Sequence, residues 1–374
     1  MWIERPVYLV ASVLIMGVST LFYVTLMHKG APENMPIAVV DLDGSTISRR
    51  MVHELQAASG VEVVRVCTNY AEARDMMQRG QIYALLEIPE NFYADLSAQR
   101  QPQVDFYVTY AFTVGGTSAY KQLLTVTNLL NGAFLQQVLR LKGTSEYEIM
   151  NIVQPIKIDA HMLFNPWGNY AYYLLTTILP GTLGVVILML TIFSIGIELK
   201  LSTSHAWLRA ANCHYGAAMV GKMLPYTILF FLLGQGFMII LYQFLYFPSN
   251  GHLWAMMLNL FGFIVAMQCF GVVLIGLLPV LRDAISAGAL LGMMSFTLSG
   301  FTFPNMGMLP FVRSIAYLFP LRHYYLTYVN EALLQAPVYE SLTTMLAYVG
   351  FMIAAWAVGG RLCHAMVYLR YPKK

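Results

Sequence analysis

Tyr170 to Ile197 reads YAYYLLTTILPGTLGVVILMLTIFSIGI, without one Asp, Glu, Lys or Arg. A helix needs about 20 predominantly apolar residues to cross the hydrocarbon core of a bilayer, so this run is long enough to span one. Five further segments free of those charges meet or approach that length: Val7 to Met27, Met223 to Phe247, Leu253 to Leu281, Ala284 to Phe303 and Leu342 to Gly360. The composition agrees, with 58% hydrophobic and 11% charged residues and a mean hydropathy of +0.59, well outside soluble-domain usage. The expectation is a polytopic α-helical membrane protein of six transmembrane helices. The first apolar run is too long for the core of a cleavable signal and no small-residue cleavage site follows Met27, so it is expected to be retained.

If all six segments span, Arg5, Lys200, Arg209, Lys222, Arg282, Arg361, Arg370, Lys373 and Lys374 share one side, and only Arg313 and Arg322 occupy short loops on the other. The excess of Lys and Arg marks the cytoplasmic side, which places both termini there. Residues 1–27 are then the first transmembrane helix, 28–169 an extracytoplasmic domain and 170–374 a five-helix transmembrane domain. The net charge of +3 is spread as topology requires and not clustered as a nucleic-acid stripe. Cys67 is the only one of the four cysteines expected outside, which excludes a disulfide within that domain. Neither Cys213-His214 nor Cys363-His364 has a second pair at zinc-ligand spacing.

Within 28–169 the periodicity changes to short apolar runs alternating with helical stretches, an α/β pattern. Strands are expected over Pro36 to Val40, Val61 to Val66, Tyr83 to Ile88 and Val104 to Thr109. Helices are expected over Ser45 to Ser59, Tyr70 to Arg79 and Asn91 to Ala98, with a long helical stalk or lever over Thr117 to Leu141. The first strand runs into IAVVDLDGST (Ile37 to Thr46), whose Asp41 and Asp43 have the spacing of a haloacid-dehalogenase phosphatase, nucleophile and acid/base around Mg²⁺. That chemistry needs a later Ser/Thr, a Lys and a second acidic pair. Asp95, Asp105 and Asp159 are scattered singly, so the stretch reads as a strand end, a tight turn at Gly44 and a helix cap at Asp43 or Ser45.

A second enzyme-like stretch, GAAMVGKM (Gly216 to Met223), satisfies Gly-x-x-x-x-Gly-Lys but puts Met223 where a phosphate-binding loop needs a hydroxyl for Mg²⁺. No buried strand precedes it. Gly221 and Lys222 are expected at a cytosolic membrane boundary, and the chain is expected to hydrolyse no ATP by itself.

Three separated stretches together resemble the permease subunits of type-2 ABC exporters, in particular the bacterial branch with a large external domain after the first span. They are IAVVDLDGSTISRRMVHEL with RGQIYALLEIPENFYADL, then IELKLSTSHAWLRAANCHYGAAMVGKMLPY, then SGFTFPNMGMLPFVRSIAYLFPLRHYYLTYVNEALL. Their order and spacing cover nearly the whole chain. Ser202 stands where the family's cytoplasmic loop carries Gly, and the family's basic interfacial helix before the first span is not seen, so an earlier start is expected.

The resemblance implies two permease chains, the second a copy or a paralogue, above two separate ABC ATPase subunits that bind ATP and Mg; this chain binds no cofactor directly. It implies a cytoplasmic coupling loop over 198–222, with Trp207 and Leu208 as apolar anchors and Glu198, Lys200, Thr203 and Arg209 as polar contacts. It also implies a re-entrant outer gate over 300–320, built on Gly300, Phe303, Pro304, Pro310 and Pro320. The alternative at that position is an external loop with two interfacial half-helices, and Tyr317, Phe319, Tyr324, Tyr325 and Tyr328 read as an interfacial aromatic belt. No Asp, Glu, Lys or Arg is expected inside a span, which favours ATP-driven over proton-coupled movement. The expected function is outward transport of a hydrophobic or amphipathic substrate, with membrane lipid and a periplasmic adaptor as further partners. The alternative is a non-transporting receptor or envelope-assembly scaffold whose external domain binds a partner.

Overall fold

A computed structural model describes residues 7–30, 33–98, 100–154, 161, 165, 168–247, 251–334, 336–368 and 371. Arg5, Arg370, Lys373 and Lys374, which entered the orientation argument, lie outside them. The chain divides into two compact units, Met1–His28 with Leu163–Lys374, and Lys29–Met162.

After helix α1 (Val7–Leu26), the second unit comprises β1 (Met35–Asp41), α2 (Thr46–Ala57), β2 (Val61–Cys67), α3 (Tyr70–Gln78), β3 (Ala84–Ile88), α4 (Phe92–Ser97), β4 (Asp105–Val108), α5 (Thr113–Leu141) and α6 (Glu146–Val153). Its sheet has the order β2-β1-β3-β4, with β1 parallel to both neighbours and β4 antiparallel to β3. Ile37, Ala38, Val39 and Val40 are all fully buried, because helices cover both faces of a parallel strand and turn its pattern into a continuous apolar run. The period of two sorts them: Ile37 and Val39 pack with Leu55 of α2 and Leu123 of α5, while Ala38 and Val40 pack with Ala73 of α3. Gly116 lets α5 start against the end of β4, since a Cβ there would lie 2.1 Å from the Thr109 carbonyl oxygen. The cysteine of this unit, Cys67, is buried at the end of β2. Burial raises its thiol pKa above the ordinary value, and the Glu72 carboxylate adds to the shift.

The first unit joins α1 to α7 (Tyr170–Lys200), α8 (Ser204–Ala210), α9 (Tyr215–Ile239, continued by a π-helical turn Ile240–Phe244), α10 (Leu253–Leu277) and α11 (Leu281–Leu298). A 3₁₀ turn (Asn305–Gly307) and α12 (Pro310–Ala316) follow. Then come α13 (Pro320–Tyr328), its π-helical continuation (Val329–Leu333) and α14 (Val338–Tyr368). Among the described residues four helices are long and apolar enough to cross a membrane: Tyr170–Lys200, Tyr215–Phe244, Leu253–Leu277 and Val338–Tyr368. Of the two other expected segments, α1 spans Val7–Leu26, and α11 ends at Leu298, ahead of the expected Phe303.

The core of this unit follows α7 and α10, whose Leu183, Ile187, Phe263 and Ile275 are fully buried. Helices α9 and α14 instead carry exposed apolar rows, Leu224, Ile228 and Leu232 on one and Leu346, Ile353 and Trp356 on the other. Water does not tolerate such continuous stripes on a monomer; lipid does. Phe319, Tyr324 and Tyr328 are buried in the unit, so the expected aromatic belt is corrected at these three positions. Their rings fill space between α13 and its neighbours, with Tyr324 at 4.8 Å from Phe263 and the Tyr242 hydroxyl donating to that of Tyr328 at 3.1 Å.

Candidate functional site: a clamped short helix

The turn between α7 and α9 is where the sequence places its coupling residues. Helix α7 ends at Lys200, Ser202 takes φ +56°, and the seven-residue α8 follows. The left-handed conformation is one that glycine adopts freely and an L residue at a cost of about 1–2 kcal/mol. Ser202 therefore holds a turn position that favours glycine, at a cost in strain. Neighbouring bonds hold it: the Thr203 backbone N–H donates to Glu198 O at 3.0 Å, and the Thr203 hydroxyl donates to the Glu198 carboxylate.

Beneath α8 lies a buried ion pair. Lys222 Nζ is 2.9 Å from Glu198 Oε1, with the lysine side chain 3% and the glutamate side chain 20% exposed. The ammonium also sits 4.2 Å from the centre of the Trp207 ring, a cation–π geometry, and the Trp207 indole N–H donates to Ala218 O at 3.2 Å. Lys222 is inside α9, and Gly216 to Met223 is helical throughout. The stretch is therefore not a phosphate-binding loop, since both of its glycines and Lys222 lie on a helix that already begins at Tyr215. Lys222, expected at a membrane boundary, is buried there with its charge paired to Glu198 and covered by Trp207.

The other side of α8 is tied to the end of α14. The Ser204 hydroxyl donates to Met366 O at 2.7 Å, and His205 Nε2 lies 3.1 Å from Val367 O. Leu208 is buried in the unit's own core. Of the expected apolar anchors, Leu208 thus serves the fold and Trp207 is half-buried against Lys222. Lys200, Leu201, Thr203, His205 and Arg209 are exposed. A cleft of about 390 Å³ opens beside the pair, bounded by Ala210, Ala218, Gly221 and Trp207. The same end holds the α10–α11 connection, where the Tyr371 hydroxyl accepts from Leu281 N at 2.9 Å and Arg361 donates to Leu277 O at 3.2 Å.

The segment expected as a gate is broken four times. Gly300 takes φ +91°, Phe303 and Pro304 precede the 3₁₀ turn, and Pro310 and Pro320 are each the first residue of a helix, where the missing N–H costs nothing. Two arginines hold the turn. Arg313 donates Nε to Asn305 O at 3.2 Å, and Arg322 donates to the Asn305 side chain while stacking over Tyr317 at 4.3 Å. Tyr173 on α7 donates to Phe301 O at 2.7 Å and stacks on its ring at 4.4 Å. Phe303, Met306, Leu309 and Phe311 are exposed. Arg322, expected in a loop, is 2% exposed, and Glu331 is 1% exposed. The glutamate accepts from the backbone N–H of His252 at 3.4 Å, with the His252 ring 3.3 Å away. Sequence reasoning missed both burials because each partner is distant in the chain.

The sequence pattern of the ABC-2 family transporter proteins matches residues 7–361. The chain belongs to that family. It is the membrane subunit of an ABC-2 type transporter, a multi-pass membrane protein with an α/β domain near its N-terminus. Permeases of this family are not catalytic by themselves; ATP binds to a partner ABC ATPase. No curated protein matches the sequence. Among the described residues no group of three or more His, Cys, Asp and Glu side chains could hold a metal ion.

The aspartates of IAVVDLDGST have structural partners. Asp41 Oδ1 accepts from Asp43 N at 3.1 Å and Gly44 N at 2.9 Å, and its Oδ2 accepts from the Ser48 hydroxyl at 2.8 Å. Ser45 caps α2 by accepting from Ser48 N. Asp43 accepts from Tyr93 N at 3.3 Å, tying this turn to the start of α4.

Proposed function

We propose that this ABC-2 subunit is an exporter permease whose α8 receives the stroke of the ATPase. It sits in a bacterial inner membrane, with six spans (α1 and α11 added to the four long helices), both termini cytoplasmic and the α/β unit outside. Two such chains, or this chain and a paralogue, enclose the route for a hydrophobic or amphipathic substrate. The observation that carries the reading is the clamping of α8. Seven residues alone make no stable helix, yet here they are fastened to α7 and α9 through Glu198, Lys222 and Trp207 and to α14 through Ser204. A force applied to the exposed face of Lys200, Thr203 and Arg209 moves three long helices together. The basic residues Lys200, Arg209, Arg282 and Arg361 gather at that end, which supports its cytoplasmic placement. The broken 300–320 segment, with buried arginine bonds inside and apolar side chains outside, suits a re-entrant plug in the opposite leaflet. Its backbone is satisfied by protein while Phe303, Leu309 and Phe311 meet lipid.

The test uses the complex of this chain with its co-purified ATPase in lipid nanodiscs. Lys200→Ala with Arg209→Ala, on the exposed face, is expected to lower permease-stimulated ATP hydrolysis at least tenfold with the permease still folded. Trp207→Ala with Glu198→Ala is expected to do the same. Purification without any ATPase, or unchanged hydrolysis in both double variants, would sink the coupling assignment and favour a scaffold.

A further inference from the structure

The α/β unit contains a cavity that its fold does not need. Its volume is about 320 Å³, and it lies between α2, α4, β4 and the second half of α5. Phe92, Leu96, Phe106, Leu130 and Phe134 supply an apolar floor, and Arg50 and Arg100 stand among its lining residues. Among the described residues no Asp or Glu lines it. Thr127, Leu130, Asn131, Phe134 and Gln137 recur at helical spacing, so one face of α5 forms a wall. In the first half of α5, Ala119, Leu123 and Val126 are buried in the sheet's core; beyond Val126 the helix has no buried residue, and this face borders space instead. The side-chain amides of Asn131 and Gln137 make no hydrogen bond within the protein among the described residues, leaving donors and acceptors free.

We propose that this cavity binds a small single-chain amphiphilic anion, its apolar body against the phenylalanines and its acid group between Arg50 and Arg100. Size sets the first limit. The volume is about twice the roughly 150 Å³ of an engineered cavity that holds benzene, room for about a dozen heavy atoms and too little for a two-chain lipid. It also falls within the range of about 300–1,000 Å³ typical of small-molecule sites with mostly apolar walls and a few polar groups. Charge sets the second. Arg100 pairs with Asp95 at 2.8 Å and Arg50 approaches Glu54 at 3.9 Å, but both arginine side chains are well exposed. Neither acid lines the cavity, and each guanidinium has five donors, so both retain donors for a carboxylate or sulfonate, which they bind in fork geometry. A neutral amphiphile would leave that end without a partner. The site is separate from α8 and 300–320 and goes beyond the transport reading.

The experiment labels the full chain in phosphatidylcholine nanodiscs with a dodecanoate carrying a diazirine, followed by peptide mapping. A dodecyl maltoside carrying the same diazirine is the neutral control. The anionic probe is expected to label peptides spanning 92–106 and 127–137, with unlabelled dodecanoate competing. Leu130→Trp, which fills the cavity, should reduce labelling there at least tenfold. Arg50→Gln with Arg100→Gln alters only exposed side chains and should reduce it about five- to tenfold with the unit folded. Labelling confined to the membrane helices would overturn the proposal. So would equal labelling by the neutral probe, or labelling of these peptides that survives the double arginine variant.

Discussion

Replacing Lys222 by Met isolates the buried pair, because methionine keeps most of the length and removes the charge. At 2.9 Å and an effective dielectric near 20, the Coulomb attraction is about 6 kcal/mol. Desolvating the two ions takes back several kcal/mol of this. What the single variant measures is different: it strands Glu198, whose side chain is only 20% exposed, beside an apolar partner. Losing one member of a buried pair costs about 3–5 kcal/mol. The loss of the ammonium from the Trp207 face at 4.2 Å contributes up to about 2 kcal/mol of that. Glu198→Gln, which keeps the shape and can still accept from Thr203, should cost about 1–3 kcal/mol. The double variant Lys222→Met with Glu198→Leu replaces the pair by apolar groups and should come within about 1 kcal/mol of the parent, since such exchanges are often neutral. Unfolding in mixed micelles with a rising fraction of dodecyl sulfate, run on the parent, Lys222→Met, Glu198→Leu and the double variant, gives the coupling energy. A value of about 2 kcal/mol or more is expected. A value under about 0.5 kcal/mol, with the two single effects simply adding, would refute the clamp and leave α8 as a loose surface turn.

Other outcomes follow from particular contacts. Ser202→Gly relieves the left-handed backbone and should stabilise the membrane unit by about 0.5–1 kcal/mol after glycine's extra chain entropy, while Ser202→Val should destabilise it; the same micelle titration reads both. Gly116→Ala drives a methyl group into the Thr109 carbonyl and should lower the stability of the α/β unit by about 1–3 kcal/mol, seen as earlier proteolysis within 35–153. Asp41→Ala leaves the Asp43 and Gly44 N–H groups and the Ser48 hydroxyl without an acceptor and should cost about 1–3 kcal/mol. The parent should meanwhile show no Mg²⁺-dependent phosphatase activity; activity that Asp41→Asn abolishes would reverse the structural reading of these aspartates. A membrane-impermeant maleimide should label exposed Cys213 only after cells are permeabilised, if α8 is cytoplasmic. Cys67, buried and with its thiol pKa raised, should resist labelling until the protein unfolds; labelling of Cys213 in intact cells would invert the topology.

Local chemistry was legible. Ser45 before a helix and the continuous apolar run of β1 are read from neighbours within a turn or a strand, and the strands and helices of the α/β unit lie within a few residues of their expected places. The turn at Ser202 between α7 and α9 and the breaks at Gly300, Pro310 and Pro320, for which coupling and gate roles are proposed, were also legible. Their internal state was not. Whether Leu208 faces a partner or its own core, and whether Lys222 meets water or Glu198, depends on how α7 and α9 approach each other.

The sequence by itself determined that this is a multi-pass membrane protein of the ABC-2 type with an α/β domain after its first apolar segment, because hydropathy and short motifs are properties of contiguous residues. Only the tertiary structure decided which charges are buried and what holds them. Glu198 meets Lys222, Arg322 meets Asn305 and Glu331 meets His252, across 24, 17 and 79 positions of chain. In a low-dielectric interior an ionisable group survives only with a partner, and partners of that kind are chosen by packing, not by proximity in sequence.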